Sequence, residues 1–210
     1  MRTAAIAAIL GTIVVVGSAA TSTPPDNNRR AGDSLERSFV SKGNIRMDLS
    51  AGEYRISGAP DNRIRVDWSV SDPDYLWKVK AKADVRGTDA TIATDGPSNK
   101  GFRVTIHVPS ESNLYVRLTA GEMKVAGIRG NKDIELHAGD LDIDVGRPED
   151  YRHVEASLWA GDLTAKPFNI VKGGLFRSFD WNGKGPYRLH AHLKAGDIRL
   201  FTKPQAEAER

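Results

Sequence analysis

Five short segments of this chain lose their alternation of apolar and polar residues in the same way, each at a glycine followed by an acid. Ile45, Met47, Leu49 and Ala51 are apolar at every second place, Gly52-Glu53 intervenes, and Tyr54 and Ile56 resume one position out of phase. The slip recurs after Val116, Leu118 and Ala120, where Gly121-Glu122 precedes Met123 and Val125, and after Ile134, Leu136 and Ala138, where Gly139-Asp140 precedes Leu141 and Ile143. It returns at Gly161-Asp162 between Leu158 and Leu163, and at Gly196-Asp197 between Leu193 and Ile198. Strand side chains alternate between faces, so a straight strand through such a point would turn its apolar set to solvent. The chain must bend or bulge there. Glycine permits the backbone angles of a corner, and the small alanine before it suits a crowded inner angle. Ala31-Gly32-Asp33 spells the same triplet with no alternating run before it, so the phase slip carries the information and the letters do not.

Period-two alternation fills much of the remaining chain, as in Ile64, Val66, Trp68 and Val70 and in Phe102, Val104, Ile106 and Val108, while helical spacing is scarce. The expected class is all-β. Successive corner alanines lie 69, 18, 22 and 35 residues apart. Intervals near 20 suit one strand-corner-strand coil of a solenoid-like stack, in which each unit buries its inner face only against its neighbours. A bulged β-sandwich is the alternative, because the first interval contains no comparable corner. The last interval holds an insertion at about residues 166–187 whose Phe168, Phe176, Phe179, Trp181 and Tyr187 read as an aromatic flap over an end or an edge.

Residues 1–20 have the layout of a secretory signal: Arg2, an apolar run from Ala4 to Val16, then Gly17-Ser18-Ala19-Ala20. That run is shorter than the roughly 20 residues that span a bilayer. Residues 21–34 read as a flexible lead-in, 35–202 as a single β-repeat domain and 203–210 as a flexible tail. An exported protein, soluble after signal cleavage and placed in the periplasm, on the cell surface or in the medium, is the expectation. The chain has no cysteine, which excludes disulfides, thiolate metal sites and thiol catalysis. Its 30 basic and 27 acidic residues nearly balance and give no global pull towards nucleic acid.

Ser38-Phe39-Val40-Ser41-Lys42-Gly43-Asn44-Ile45, the strand ending Ile106-His107-Val108-Pro109 and the repeated Ala-Gly-acid corners together resemble the bacterial "putative adhesin" domain family, β-rich envelope proteins of unknown function. The resemblance spans roughly residues 36–202. It implies a repetitive β domain outside the cytoplasm, and it brings no catalytic residues with it.

The chemistry-bearing candidates are few. Stacked in register, Glu53, Glu122, Asp140, Asp162 and Asp197 would form a column of like charges near the strand spacing, which calcium would neutralise. Backbone N–H groups of each corner, or nearby Lys and Arg, neutralise such acids more often, so no cofactor is expected. All five histidines fall on outward phases, and His190 and His192 share a face without an acid in the same run. Lys78, Lys80 and Lys82 line one side of a strand whose inner side reads Trp77, Val79, Ala81 and Ala83. Such a stripe meets a polyanion or protects an edge strand. Trp159 falls outward, as a glycan or protein contact requires, or beneath the insertion that carries Trp181. No nucleophile motif is present and no paired carboxylates sit in an apolar setting. The residues therefore favour a non-enzymatic module with a structural or adhesive role and an envelope, glycan or protein partner. A polyanion or glycan binder and, further off, a glycan-active enzyme are the alternatives.

Overall fold

The computed structural model describes residues 31–98 and 100–203; the expected leader lies outside them, as does the tail after Lys203. Twelve strands run β1 (Ala31–Ser38), β2 (Asn44–Leu49), β3 (Gly52–Ala59), β4 (Arg63–Val70), β5 (Lys80–Arg86), β6 (Asp89–Asp95), β7 (Arg103–Pro109), β8 (Asn113–Ala126), β9 (Lys132–Asp144), β10 (Tyr151–Ala165), β11 (Ile170–Asn182) and β12 (Tyr187–Phe201). The only helical elements among the described residues are short 3-10 turns at Pro73–Lys78, Pro148–Asp150 and Lys166–Phe168. The chain is all-β, as its alternation predicts. β1 begins at Ala31, so the last four residues of the presumed lead-in pair with β4.

All twelve strands join one open sheet, folded along the line of corner glycines into two arms. Strands β8, β9, β10 and β12 run through both arms, turning at Gly121, Gly139, Gly161 and Gly196. Before the corner, β8 pairs with β2 in parallel; after it, β8 pairs with β3. The phase slip thus keeps one apolar face inward in both arms. Leu49, Leu118, Leu136, Leu193 and Leu158 form one inward row before the corner. Tyr54, Met123, Leu141, Ile198 and Leu163 form another after it. All are buried in a single core, each contributing roughly 1.5–3 kcal/mol by removal from water.

At four of the corners the glycine is obligatory. Gly121, Gly139, Gly161 and Gly196 have φ of 121°, 126°, 133° and 124°. A Cβ on Gly139 would lie 1.9 Å from the Gly121 carbonyl oxygen, and one on Gly161 would lie 1.8 Å from that of Gly196. The crowding assigned to the alanines belongs to the glycines; Ala120 and Ala160 are half-buried, and Ala138 and Ala195 are exposed. Gly52 makes its slip differently. The chain breaks there into β2 and β3, and the nearest atoms to a Cβ on Gly52 lie at 3.0–3.1 Å.

Three features depart from a plain sequential stack. The corner order across the sheet is Gly52, Gly121, Gly139, Gly196, Gly161, because β12 enters the slot between β9 and β10 after β11 has passed along the outside of β10. The first interval does contain a crossing between arms, since β6 pairs with β2 and β7 with β3, and the sequence between these two strands lacks the triplet. The lysine-stripe strand begins only at Lys80, because Pro73 starts a 3-10 turn capped by Asp72 and running to Lys78. Trp77, read as inward, stands 78 % exposed on that turn.

An asparagine ladder stitches the entry side of the first arm. Asn113 Nδ2 donates to Asn44 Oδ1 at 3.0 Å, and Asn131 Nδ2 donates to Asn113 Oδ1 at 3.0 Å. The Arg188 amide donates to Asn131 Oδ1 at 2.9 Å, carrying the ladder to β12. Asn44, Asn113 and Asn131 each stand eight residues before a corner glycine, a spacing visible in the sequence.

Candidate functional site

The five corner acids do line up, in the order Glu53, Glu122, Asp140, Asp197, Asp162. Three of them have close partners. Glu53 pairs with Arg103 and with Arg55, the latter at 3.6 Å. Arg199 Nη2 lies 3.8 Å from Asp140 and its Nε 2.8 Å from Asp142. Asp197 accepts the amide of Asp162 at 3.1 Å. Two residues beyond the acids, Arg55, Lys124 and Arg199 share the outer face with Asp142 and set positive charge beside the acid row. Among the described residues no three His, Asp or Glu side chains converge as a metal site. Adding calcium is therefore expected to leave the thermal midpoint unchanged; a rise of several degrees would show that the ladder binds it.

The outer face of the first arm is polar and cross-linked. Tertiary pairing supplies the acid that the local run around His190 lacks: His190 Nδ1 lies 3.1 Å from Asp133 Oδ1 on β9. Arg117 reaches the same carboxylate at 3.4 Å and Glu135 at 3.1 Å. Burial pushes the Asp133 carboxyl up, but hydrogen bonds from His190 and Arg117 outweigh it and hold it below the usual carboxylate range. His192 Nδ1 is 2.9 Å from the Ser157 hydroxyl, so the two histidines of β12 have separate partners.

The candidate binding residues are dispersed. Lys78 lies over Tyr75 and Trp77, at 4.6 and 5.4 Å from their ring centroids. Lys82 pairs with Asp84 at 2.7 Å, and Lys80 stands on the exposed face of β5. These three do not form one strand stripe. At the opposite end of the sheet, Trp159 projects outward from β10 and meets Phe176 of β11 at 6.0 Å, yet remains 56 % exposed. The insertion touches Trp159 without covering it. Trp181 turns the other way: with Phe179 it packs on Phe168, centroids 5.0 and 5.3 Å away, and the three rings plug the end of the core between the arms.

One buried group escaped the sequence reading. Lys132 stands on an inward row between Leu114 and Leu189 and is 2 % exposed. Its Nζ donates to the Tyr151 hydroxyl at 2.6 Å and lies 5.1 Å from that ring's centroid. Burial lowers its pKa to about 8, although Asp144 and Asp150 act in the other direction. The same burial, with both carboxylates nearby, pushes the Tyr151 phenol upwards. Lys132 precedes Ile134 by two residues, so its inward phase was readable. Beside the pair lies a cavity of about 230 Å³ lined by Arg129, Asp144, Arg147, Asp150 and Tyr187 among others. Arg147 and Arg129 both hold Asp150 there, at 2.9 and 3.6 Å.

No family model matches the sequence, and no curated protein matches it. Solved structures do. A putative cell adhesion protein from Clostridium sporogenes, 16 % identical, superposes with a TM-score of 0.58 over 83 % of this chain and 100 % of its own. A putative adhesin from Bacteroides fragilis matches 83 % of this chain and 99 % of its own at 8 % identity, with a TM-score of 0.29. One from Parabacteroides distasonis matches 82 % and 71 % at 12 % identity, with a TM-score of 0.27. The last two superpose too loosely to add weight. Among the described residues no helix is long and apolar enough to cross a membrane. The chain thus shares the fold of a putative cell adhesion protein, in keeping with the family resemblance carried by its Ala-Gly-acid corners.

Proposed function

We propose that this chain is an exported, non-catalytic β module with an adhesive or structural binding role at the cell envelope. The observation that carries the proposal is the likeness in fold, over 83 % of this chain and the whole of the other, to a protein described as a putative cell adhesion protein. The distribution of side chains supports it. What repeats is inward or at the corner, while outward positions such as Ser50, Thr119, His137, Trp159 and Lys194 vary freely along one row. A rigid core presenting a varied polar face is what a binding module requires. The polyanion reading through Lys78, Lys80 and Lys82 loses support, because one lysine lies off the strand and another is paired. The test is a glycan array and an envelope-extract capture with the purified protein. Saturable binding that weakens when Trp159 is replaced by alanine supports the proposal. Turnover of a glycan without stable binding would replace it with an enzyme.

A further inference from the structure

The two ends of the folded sheet are finished differently. At one end β1 and β5, the last strands of the two arms, contact each other. At the other, β11 runs for 13 residues around both arms, pairs with β10 on one side and, among the described residues, has no strand on the other. Of the six exposed large apolar side chains among the described residues, Val171, Leu175 and Phe176 belong to β11, at 78, 62 and 74 % exposure, and Trp159 touches Phe176. An exposed strand edge carrying apolar side chains is a template for another chain.

We infer that β11 is the contact surface of a two-fold dimer, in which the β11 edges of two copies pair antiparallel and continue the sheet from one molecule into the other. Three observations select a second copy. First, the bent edge accepts a strand running the opposite way around the corner, since β11 itself does this on β10, with Ile170 opposite Ala165 and Asn182 opposite His153 at its far end beyond Gly174. A two-fold axis along the bisector of the corner exchanges the arms and brings in a second β11 with that reversed direction. Second, the side chains match their own image. In one common register inward Ile170 meets inward Trp181 of the second copy, exposed Leu175 meets exposed Phe176, and outward Val171 faces outward Asp180. Third, the area suffices. The four exposed side chains present on the order of 500 Å² per copy, so a pair covers at most roughly 1,000 Å² of side chain, to which the paired backbone adds, near the lower bound for a specific interface.

Lys172 and Arg177, the charges that would ordinarily guard such an edge, lie back along their own strand. Lys172 Nζ donates to the Ser178 carbonyl at 2.8 Å and Arg177 Nε to that of Gly173 at 2.6 Å. Pairing exchanges these side-chain bonds for main-chain ones.

Sedimentation velocity and light scattering of the purified protein, over a range of micromolar concentrations, provide the test. The expected result is a monomer-dimer equilibrium that Phe176→Glu shifts to monomer, with an unchanged thermal midpoint showing that the variant is folded. Val171→Glu, on the other arm, is expected to do the same, and Trp159→Ala to weaken association about tenfold. A wild-type protein that stays monomeric throughout, or a dimer that both glutamate variants leave intact, overturns the inference. So does a monomer that binds phosphatidylglycerol vesicles through Phe176, which would make the patch a membrane contact.

Discussion

Replacing Gly139 by valine is expected to abolish the native fold. Two independent costs act together there. The φ of 126° lies outside the range of side-chain-bearing residues, and a Cβ would approach the Gly121 carbonyl oxygen to 1.9 Å. Relief by movement is closed off because Gly139 is itself the obstacle for Gly196, whose Cβ would meet the Gly139 carbonyl at 1.9 Å. Shifting one rung displaces the next. The loss should exceed about 4 kcal/mol, enough to unfold a marginally stable domain. Gly146→Ala is the control: its φ of 64° is also left-handed, but nothing lies within 4 Å of the added carbon. It should cost about 1–2 kcal/mol. Circular dichroism of the two variants distinguishes a packing requirement from a backbone preference. A folded Gly139→Val variant with an unaltered midpoint would remove the glycine ladder from the explanation of this fold.

The second large effect concerns Lys132 and Tyr151. Phenylalanine at 151 removes the hydroxyl at 2.6 Å and leaves a buried ammonium with the Gly130 carbonyl at 3.5 Å. Leaving a buried charged donor without its acceptor typically costs on the order of 3 kcal/mol. Replacing both, as Lys132→Met with Tyr151→Phe, removes the charge along with its partner and should leave stability at neutral pH equal to or above that of the wild type. The pH dependence follows from the same burial. Lys132 is depressed from 10.5 to about 8 in the folded chain, so above pH 8 the folded state holds fewer protons at this site than the unfolded state. Stability therefore rises between about pH 8 and 10, by up to roughly 3 kcal/mol. Tyr151 is raised from its usual value of 10.0. Its contribution is intact below that pH and is lost above it, so the rise should turn over near pH 10. Urea midpoints measured across this interval should climb for the wild type and stay flat for the double variant. A wild-type midpoint that falls steadily from pH 8 would contradict the assignment.

The corner glycines illustrate how far pattern reading reaches. Five phase slips identified five corners, and the triplet at Ala31-Gly32-Asp33, discounted for want of an alternating run, lies within a straight strand. The same reading placed the crowding on alanine, because one sequence shows which residues neighbour each other along the chain and not which carbonyl a neighbouring strand presents. It also extended the lysine-stripe strand back to Trp77, where Pro73 and the Asp72 cap impose a 3-10 turn. Local capping competes with alternation over such short stretches. Lys132 was passed over although its phase is inward. A lysine is assumed to face water unless its surroundings are known, and Tyr151 lies 19 residues away.

The sequence by itself determined the all-β class, the position of every bend that carries a phase slip, and the inward and outward sets on either side. Those follow from period two and from the backbone angles open to glycine, both local properties. Only the tertiary structure decided that β12 slots between β9 and β10, that β11 runs backwards along the far edge, and that Trp159 and Phe176 stand together outside while Phe168, Phe179 and Trp181 close the core. Any two of these strands present the same apolar period to a neighbour, so the pattern is degenerate with respect to order. The order is resolved only when all the strands compete for one core.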